Sequence, residues 1–411
     1  MFALLSRLCK LPSRPATRRR SAPEATAGLR RRLLGGLFAV GFLAACEPGV
    51  MTGAGGPSID TSAPIPVALL VPGGSGQAGD EALARSLENA ARLAVSSLQG
   101  VQIDLRVYNT AGRAEVAAQQ ATQAVNDGAR IILGPVFASS ATAAGQAVAG
   151  RGINVLSFSN NVDVAGGNVF VLGPTFQNTA NRMTSYARSR GKSRILVVHE
   201  RNDAGEQGRR AIERAAARSG VTLAGVQGFD FSQQGVVEAL PQIADAARSG
   251  NADSVFFTSN SAGALPLLTQ LLPDNRVGPD QFQYMGLTRW DIPSNTLSLP
   301  GVQGGWFALP DPELSAQFNS RYNAAYGQSP HPIAGLAFDG IAAIGALASA
   351  GNRDALTRSA LTQPEGFVGV NGVFRLLADG TNERGLAVAE IRDGAVSVID
   401  PAPRRFVGPG S

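Results

Sequence analysis

From Ile65 onward, short β-rich runs alternate with helical stretches, and this alternation constrains the fold more than any other feature of the chain. IPVALLV opens it, and a helix over Glu81–Leu98 follows, with Leu83, Leu87, Ala91, Ala94 and Leu98 on one stripe. VQIDLRVY, a helix over about 113–126, RIIL, a helix after Phe137 and INVLSF continue the series. A second series begins at RILVVH (194–199). It runs through a helix at 205–219, a strand near 221–229, a helix at 235–248, SVFFTS, a helix at 262–272 and QFQYMGL. Strands that alternate with helices of this length form parallel sheets covered on both faces. Two series therefore predict an α/β protein of two doubly wound parallel-sheet lobes with a hinge. The last hundred residues break the pattern, with helices at about 312–326 and 332–350 and short strands near 369–374, 386–391 and 395–399. They complete the two lobes, with the chain crossing between them.

The chain ahead of this region reads as a leader. Leu33–Ala45 is an apolar run behind Arg30, Arg31 and Arg32, too short for the roughly 20 residues of a spanning helix and right for a secretory signal core. Leu43-Ala44-Ala45-Cys46 resembles the lipobox of bacterial lipoproteins, in which cleavage precedes the cysteine and the thiol takes a lipid. Residues 1–45 are thus expected to be removed, and lipidated Cys46 becomes the membrane anchor. Residues 46–64, rich in Gly, Pro, Ser and Thr, are expected to be a flexible tether.

Removing the leader changes the charge argument. The whole chain carries a formal charge of +5, but nine of its 36 basic residues and only one of its 31 acids lie in residues 1–45. The remainder is slightly acidic and keeps no basic cluster, so no nucleic-acid partner is expected. The two cysteines are Cys9, in the leader, and Cys46, so the folded part has neither a disulfide nor a cysteine metal site. It is also longer than the 250–300 residues at which a single core usually stops growing.

Catalytic signatures are weak. Gly74-Ser75-Gly76-Gln77-Ala78-Gly79 fits the dinucleotide fingerprint G-x-G-x-x-G, but the second strand ends Val107-Tyr108-Asn109 and lacks the acid that would hold a ribose. No Ser sits in G-x-S-x-G, and no phosphate loop with its lysine is present. His199 and His331, the only histidines, have no nucleophile or orienting acid in local sequence. Neither enzyme activity, a cofactor nor a metal is expected.

Five stretches in order carry a family resemblance: VALLVPGGSGQAGDEALARSLENAARLAV, ARIILGPVFASSATAAGQAV, FDFSQQGVVEALPQI, AGLAFDGIAAIGAL and GFVGVNGVFRLLADGTNERGLAVAEIRDG. Together the chain resembles the type I periplasmic-binding fold in its branched-chain amino-acid receptor form. With the lipobox, FNSRYNAAYGQSPHPIAGLAFDG resembles the penicillin-binding-protein activator lipoproteins through Phe318, Tyr322, Tyr326, Gly327, Pro330 and the Phe338-Asp339 pair. That resemblance implies an outer-membrane lipoprotein that stimulates a bifunctional penicillin-binding protein. The alternative is the substrate-binding receptor of an ABC importer for branched-chain amino acids or amides, with a small amino-acid-like ligand. The expected lobes are 65–185 plus about 305–360, and 186–304 plus about 361–401, with a tail at 402–411.

A receptor needs donors for a ligand carboxylate and an acid for its ammonium, placed at the C-terminal ends of strands. Such loops hold Ser75, Ser139, Ser140, Ser157, Ser159 and Asn160 in the first lobe. In the second they hold Glu200, Asn202, Asp203, Ser259, Asn260 and Thr288, with Glu200 or Asp203 as the ammonium partner. All of these positions also suit helix caps and turns.

Overall fold

A computed structural model of the chain describes residues 56–406. The leader and Cys46 lie outside the described residues. The first sheet is formed by β1 (Ile65–Val71), β2 (Ile103–Asn109), β3 (Ile131–Leu133), β4 (Val155–Ser157) and β5 (Val169–Val171). Its order is β2-β1-β3-β4-β5, and every pairing is parallel. The helices α1 (Ala78–Val95), α2 (Ala114–Asn126) and α3 (Ala138–Ala149) connect its strands. Strand β1 is apolar throughout because both of its faces are covered. Val67 and Leu69 join a core with α1, while Ala68 and Leu70 join another with α2 and α3.

The second sheet has the order β15-β14-β10-β9-β8-β6-β7. Its parallel part comprises β6 (Arg194–Glu200), β7 (Thr222–Phe229), β8 (Ser254–Phe257), β9 (Gln283–Gly286) and β10 (Trp306–Leu309). The hairpin β14 (Ala387–Arg392) and β15 (Ala395–Asp400) adds on antiparallel. Helices α4 (Phe176–Ser189) and α5 (Asp203–Ser219) cover one face, and α6 (Gln233–Ser249) and α7 (Leu265–Leu271) the other. Local signals set the helix ends. Asn202 and Ser232 accept the Gly205 and Gly235 N–H groups as N-caps, and α5 stops at Gly220, whose φ of 67° favours glycine.

Helices α8 (Pro312–Tyr326) and α9 (Gly335–Ser349) return to the first lobe. Between the lobes lies a small antiparallel sheet of β11 (Phe367–Gly369), β12 (Gly372–Leu376) and β13 (Asn382–Arg384).

The expected boundaries move in five places. The first crossing falls between β5 and α4, not at 185/186, because Ala180, Met183, Tyr186 and Ala187 of α4 pack into the second sheet's core. Strand β10 pairs with β9, so the return to the first lobe comes after Leu309 and not at 305. Phe367, Phe374 and Leu376 pack into the first core, so the second lobe resumes near β14 rather than at 361. The described end of the supposed tether is docked: Ile59 is buried in the first core and its N–H donates to Arg353 O at 2.8 Å. The tail is anchored at its start, since Ala402 is buried in the second core.

The crossings are bonded to one another. Asn382 Nδ2 donates to Val171 O and Gly173 O, each at 2.8 Å, and Asn178 Nδ2 donates to Asn382 O at 2.9 Å. Arg384 lies on the Phe374 ring, donates to Leu172 O and meets Asp339 Oδ2 of α9 at 3.3 Å. Asp339 Oδ1 also accepts the Val370 N–H at 2.7 Å. Burial pushes the Asp339 carboxyl above its ordinary range, against the pull of Arg384 and the Val370 N–H.

Candidate functional site

In a doubly wound sheet, ligands bind beyond the C-terminal strand ends where the strand order reverses. That point lies between β1 and β3 in the first sheet and between β6 and β8 in the second. Asn160, Val162 and Asp163, just after β4, share a cavity of about 120 Å³ with Gln207, Arg210 and Arg214 of α5, the helix that follows β6.

The second lobe builds a cluster at its reversal point. Glu200 ends β6 and is only 8 % exposed. Its Oε2 accepts the Asn202 Nδ2 at 2.9 Å, while the buried Oε1 has no donor among the described residues. Around Gly263, in the loop after β8, three groups converge. A methyl group at that glycine would lie 3.1 Å from Asn260 Oδ1, 3.3 Å from Glu200 Oε1 and 3.4 Å from the edge of the Phe231 ring. A buried carboxylate oxygen without a donor costs about 1–3 kcal/mol or more. Two acceptor oxygens that converge on one point make a place that a primary ammonium fits. Ser259, beside this cluster in sequence, is fully buried and its hydroxyl has no partner among the described residues.

The first lobe offers the opposite polarity. Helix α3 begins just after β3 with Phe137 at its N-cap position, which supplies no side-chain cap. The first N–H groups of α3 therefore have no capping acceptor, and Ser139 stands exposed among them. The next residue, Ser140, is fully buried, and its hydroxyl has no partner among the described residues. Helix N-termini of this kind favour carboxylates. The glycine loop after β1 is different: Gly74 and Gly76 donate to Glu81 Oε1 at 2.7 and 3.4 Å, so an internal carboxylate already holds those amides.

The other sequence-named residues mostly serve local structure. Ser75 Oγ accepts the Gln77 N–H. Ser157 Oγ donates to Pro135 O and accepts the Ser159 N–H, and Ser159 Oγ accepts the Asn161 N–H. Asn202 caps α5, and Thr288 Oγ1 donates to Ser259 O at 3.4 Å. Asp203 is exposed on the first turn of α5. Asn160 is exposed and lines the cavity shared with α5. Phe137, Phe231 and Gly263 were not legible as site residues. The available signal was an aromatic residue shortly after a strand end, Phe137 behind Gly134-Pro135-Val136 and Phe231 behind Asp230.

The segment resembling the activators is spent on packing within the first lobe. Phe318, Tyr322 and Phe338 are buried; the Phe318 and Phe338 rings lie 5.8 Å apart, and those of Tyr322 and Tyr326 4.8 Å apart. Tyr322 Oη meets Ser86 Oγ and Asn89 Nδ2, each at 3.2 Å, on α1. A separate cavity of about 460 Å³ lies away from the strand ends, between α4, α5 and the C-terminal segment. Among the described residues, no helix is long and apolar enough to cross a membrane, and no three His, Cys, Asp or Glu side chains are grouped to hold a metal.

Two doubly wound lobes joined by several crossings of the chain define a two-lobed α/β protein. Residues 64–395 match the family described as periplasmic binding protein, and the chain belongs to that family. Membership implies a periplasmic location. No curated protein matches the chain. It is similar in fold to the structure of a putative branched-chain amino acid ABC transporter from Rhodospirillum rubrum, at TM-score 0.68 and 18 % identity over 82 % of this chain and 100 % of that one. An ABC transporter substrate-binding protein from Desulfitobacterium hafniense in complex with Leu aligns at TM-score 0.60 and 18 % identity over 82 % and 100 %. A solute binding protein from R. palustris in complex with benzoate aligns at TM-score 0.55 and 17 % identity over 85 % and 99 %.

Proposed function

We propose that the protein is the substrate-binding receptor of an ABC importer and holds a small amino-acid-like ligand between its lobes. The observation that carries this is Glu200, a buried carboxylate at the second sheet's reversal point with one oxygen left for a donor from outside the chain. The ligand ammonium sits at Glu200 Oε1 and Asn260 Oδ1, and its carboxylate at the start of α3 by Ser139. The leucine complex of the Desulfitobacterium protein supports a ligand of this class. The receptor is tethered to the membrane by a lipid on Cys46; a Cys46→Ser variant is expected in the soluble fraction, and its retention in washed membranes would remove the anchor from the proposal.

Calorimetry and thermal shift with a panel of amino acids and amides test the reading. A ligand at 100 times its Kd should stabilise the fold by about 2.7 kcal/mol. Glu200→Gln should weaken binding by about 1.5–3 kcal/mol, roughly ten- to hundredfold, as expected for a hydrogen bond to a charged group. The activator reading keeps only the resemblance of Phe318–Gly340, whose aromatic residues pack inward on α1. Stimulation of a bifunctional penicillin-binding protein by the soluble chain, with no ligand found in the panel, would reinstate it.

A further inference from the structure

The cavity of about 460 Å³ lies away from the strand ends, and its size falls within the roughly 300–1,000 Å³ of small-molecule pockets. Its walls come from α4, α5, the stretch from β13 to β14 and the C-terminal segment. Contacts within the chain hold these walls in place. Arg182 of α4 donates through Nε to Leu386 O at 2.7 Å, and through Nη2 to Asp400 Oδ2 at 2.6 Å and Pro401 O at 3.3 Å. Pro403 packs on Gly385, where a methyl group would lie 3.0 Å from its Cγ. The Phe406 ring lies 4.6 Å from the Arg375 guanidinium of β12. The cavity is therefore preformed.

Its charges do not cancel. Five charged side chains line it: Arg182, Arg218, Glu383, Arg384 and Asp400. Arg182 pairs with Asp400 at 2.6 Å, Arg384 with Asp339 at 3.3 Å, and Glu383 with Arg375 at 2.6 Å. Arg218, in the last turn of α5, has no hydrogen bond or ion pair with the described residues, and Arg182 Nη1 has none either. The lining thus keeps one uncompensated positive charge and a second guanidinium edge with N–H groups to give. Beside these stand the apolar groups of Leu386, Pro401, Pro403 and Phe406.

We propose that this cavity is a second binding site, which takes a small monocarboxylate on an apolar body, of the arylalkyl acid type. The carboxylate accepts N–H groups from Arg218 and from Arg182 Nη1, because its planar oxygens suit guanidinium donors. One negative charge balances the lining, whereas a dianion would leave an excess and an amine would add to the positive side. The body of the ligand covers Leu386, the two prolines and the Phe406 ring, and removal of that apolar area from water favours binding. The site uses neither Glu200 nor the start of α3, so it does not rest on the receptor reading.

Calorimetry on the mature chain tests this with 4-phenylbutanoate, its neutral analogue 4-phenylbutanamide, and acetate. The amide should bind about tenfold more weakly than 4-phenylbutanoate, for want of the charged hydrogen bonds. Acetate, which lacks the apolar body, should also bind about tenfold more weakly. Arg218→Gln should weaken 4-phenylbutanoate about fivefold and leave the amide unchanged, while Arg218→Lys, which keeps the charge, should stay within about twofold of wild type. Phe406→Ala should weaken the acid and the amide alike, each about fivefold. Circular dichroism melts identify any variant that has lost its fold. No binding of 4-phenylbutanoate at millimolar concentrations, or binding that neither Arg218→Gln nor Phe406→Ala changes, would overturn the second site. Binding lost in Glu200→Gln but kept in those two variants would place the probe between the lobes, which overturns the second site and leaves the receptor reading standing.

Discussion

Replacing Asp339 by Asn tests the account of the hinge most directly. Asp339 and Arg384 are 0 % and 4 % exposed, and their side chains meet at 3.3 Å where α9, β13 and the first crossing come together. Asn at 339 keeps an oxygen for the Val370 N–H, now 2.7 Å from Oδ1, but removes the negative charge. The Arg384 guanidinium would then be buried with only the Leu172 carbonyl and the Phe374 ring as partners. Breaking a buried pair from one side costs about 3–5 kcal/mol, and the retained carbonyl contact places this case near 3. Urea unfolding followed by circular dichroism measures it. The slope for a protein of this size exceeds the 1–3 kcal/mol/M of small domains. With a slope of roughly 4 kcal/mol/M, the midpoint should fall by about 0.7 M. Adding Arg384→Met to Asp339→Asn should recover part of the loss, because no uncompensated charge remains. A shift below about 0.2 M for Asp339→Asn would refute the reasoning. It would mean that burial holds Asp339 neutral, so that Asn is nearly isosteric with the resident group.

Three further outcomes follow from the same packing. Gly369→Ala would set its methyl 2.2 Å from Asp339 Oδ1, so it should destabilise by an amount comparable to Asp339→Asn, and the two together should cost clearly less than their sum in the same urea assay. Tyr322→Phe removes a buried hydroxyl bonded to Ser86 and Asn89, and should lower stability by about 1 kcal/mol without changing ligand affinity. Burial lowers the His331 pKa, and its Nδ1 accepts the Ile333 N–H at 3.3 Å, so the folded state favours the neutral ring. Its contribution is complete above the unfolded pKa of about 6.5 and is lost as pH falls below it towards the folded value, so wild type should lose urea resistance relative to His331→Gln on going from pH 7 to pH 5.5.

The doubly wound architecture was legible because its signal is local and repeated. In RILVVH, Ile195 and Val197 face one helical layer while Leu196 and Val198 face the other, and a continuous apolar run reports that double burial directly. Caps at Asn202 and Ser232 and the loops after strands were equally readable, and Glu200 stood among the named acids for that reason. Elements without such a signal were missed. Strand β5 is three residues long, and α4 carries a narrow apolar stripe in a polar sequence, so residues 159–193 show no clear period and the first crossing is not visible in them. Which lobe receives Trp306–Leu309 or Phe367–Leu376 depends on partners far along the chain, and so does the docking of Ile59. The convergence of Glu200, Asn260 and Phe231 on Gly263 is likewise tertiary, because Glu200 ends β6 while Asn260 and Phe231 follow β8 and β7, strands that only the sheet order makes neighbours. Residue type and period determine which segments form strands and helices. The burial of a polar atom, or the exposure of an aromatic ring, is decided by what the rest of the chain brings to it.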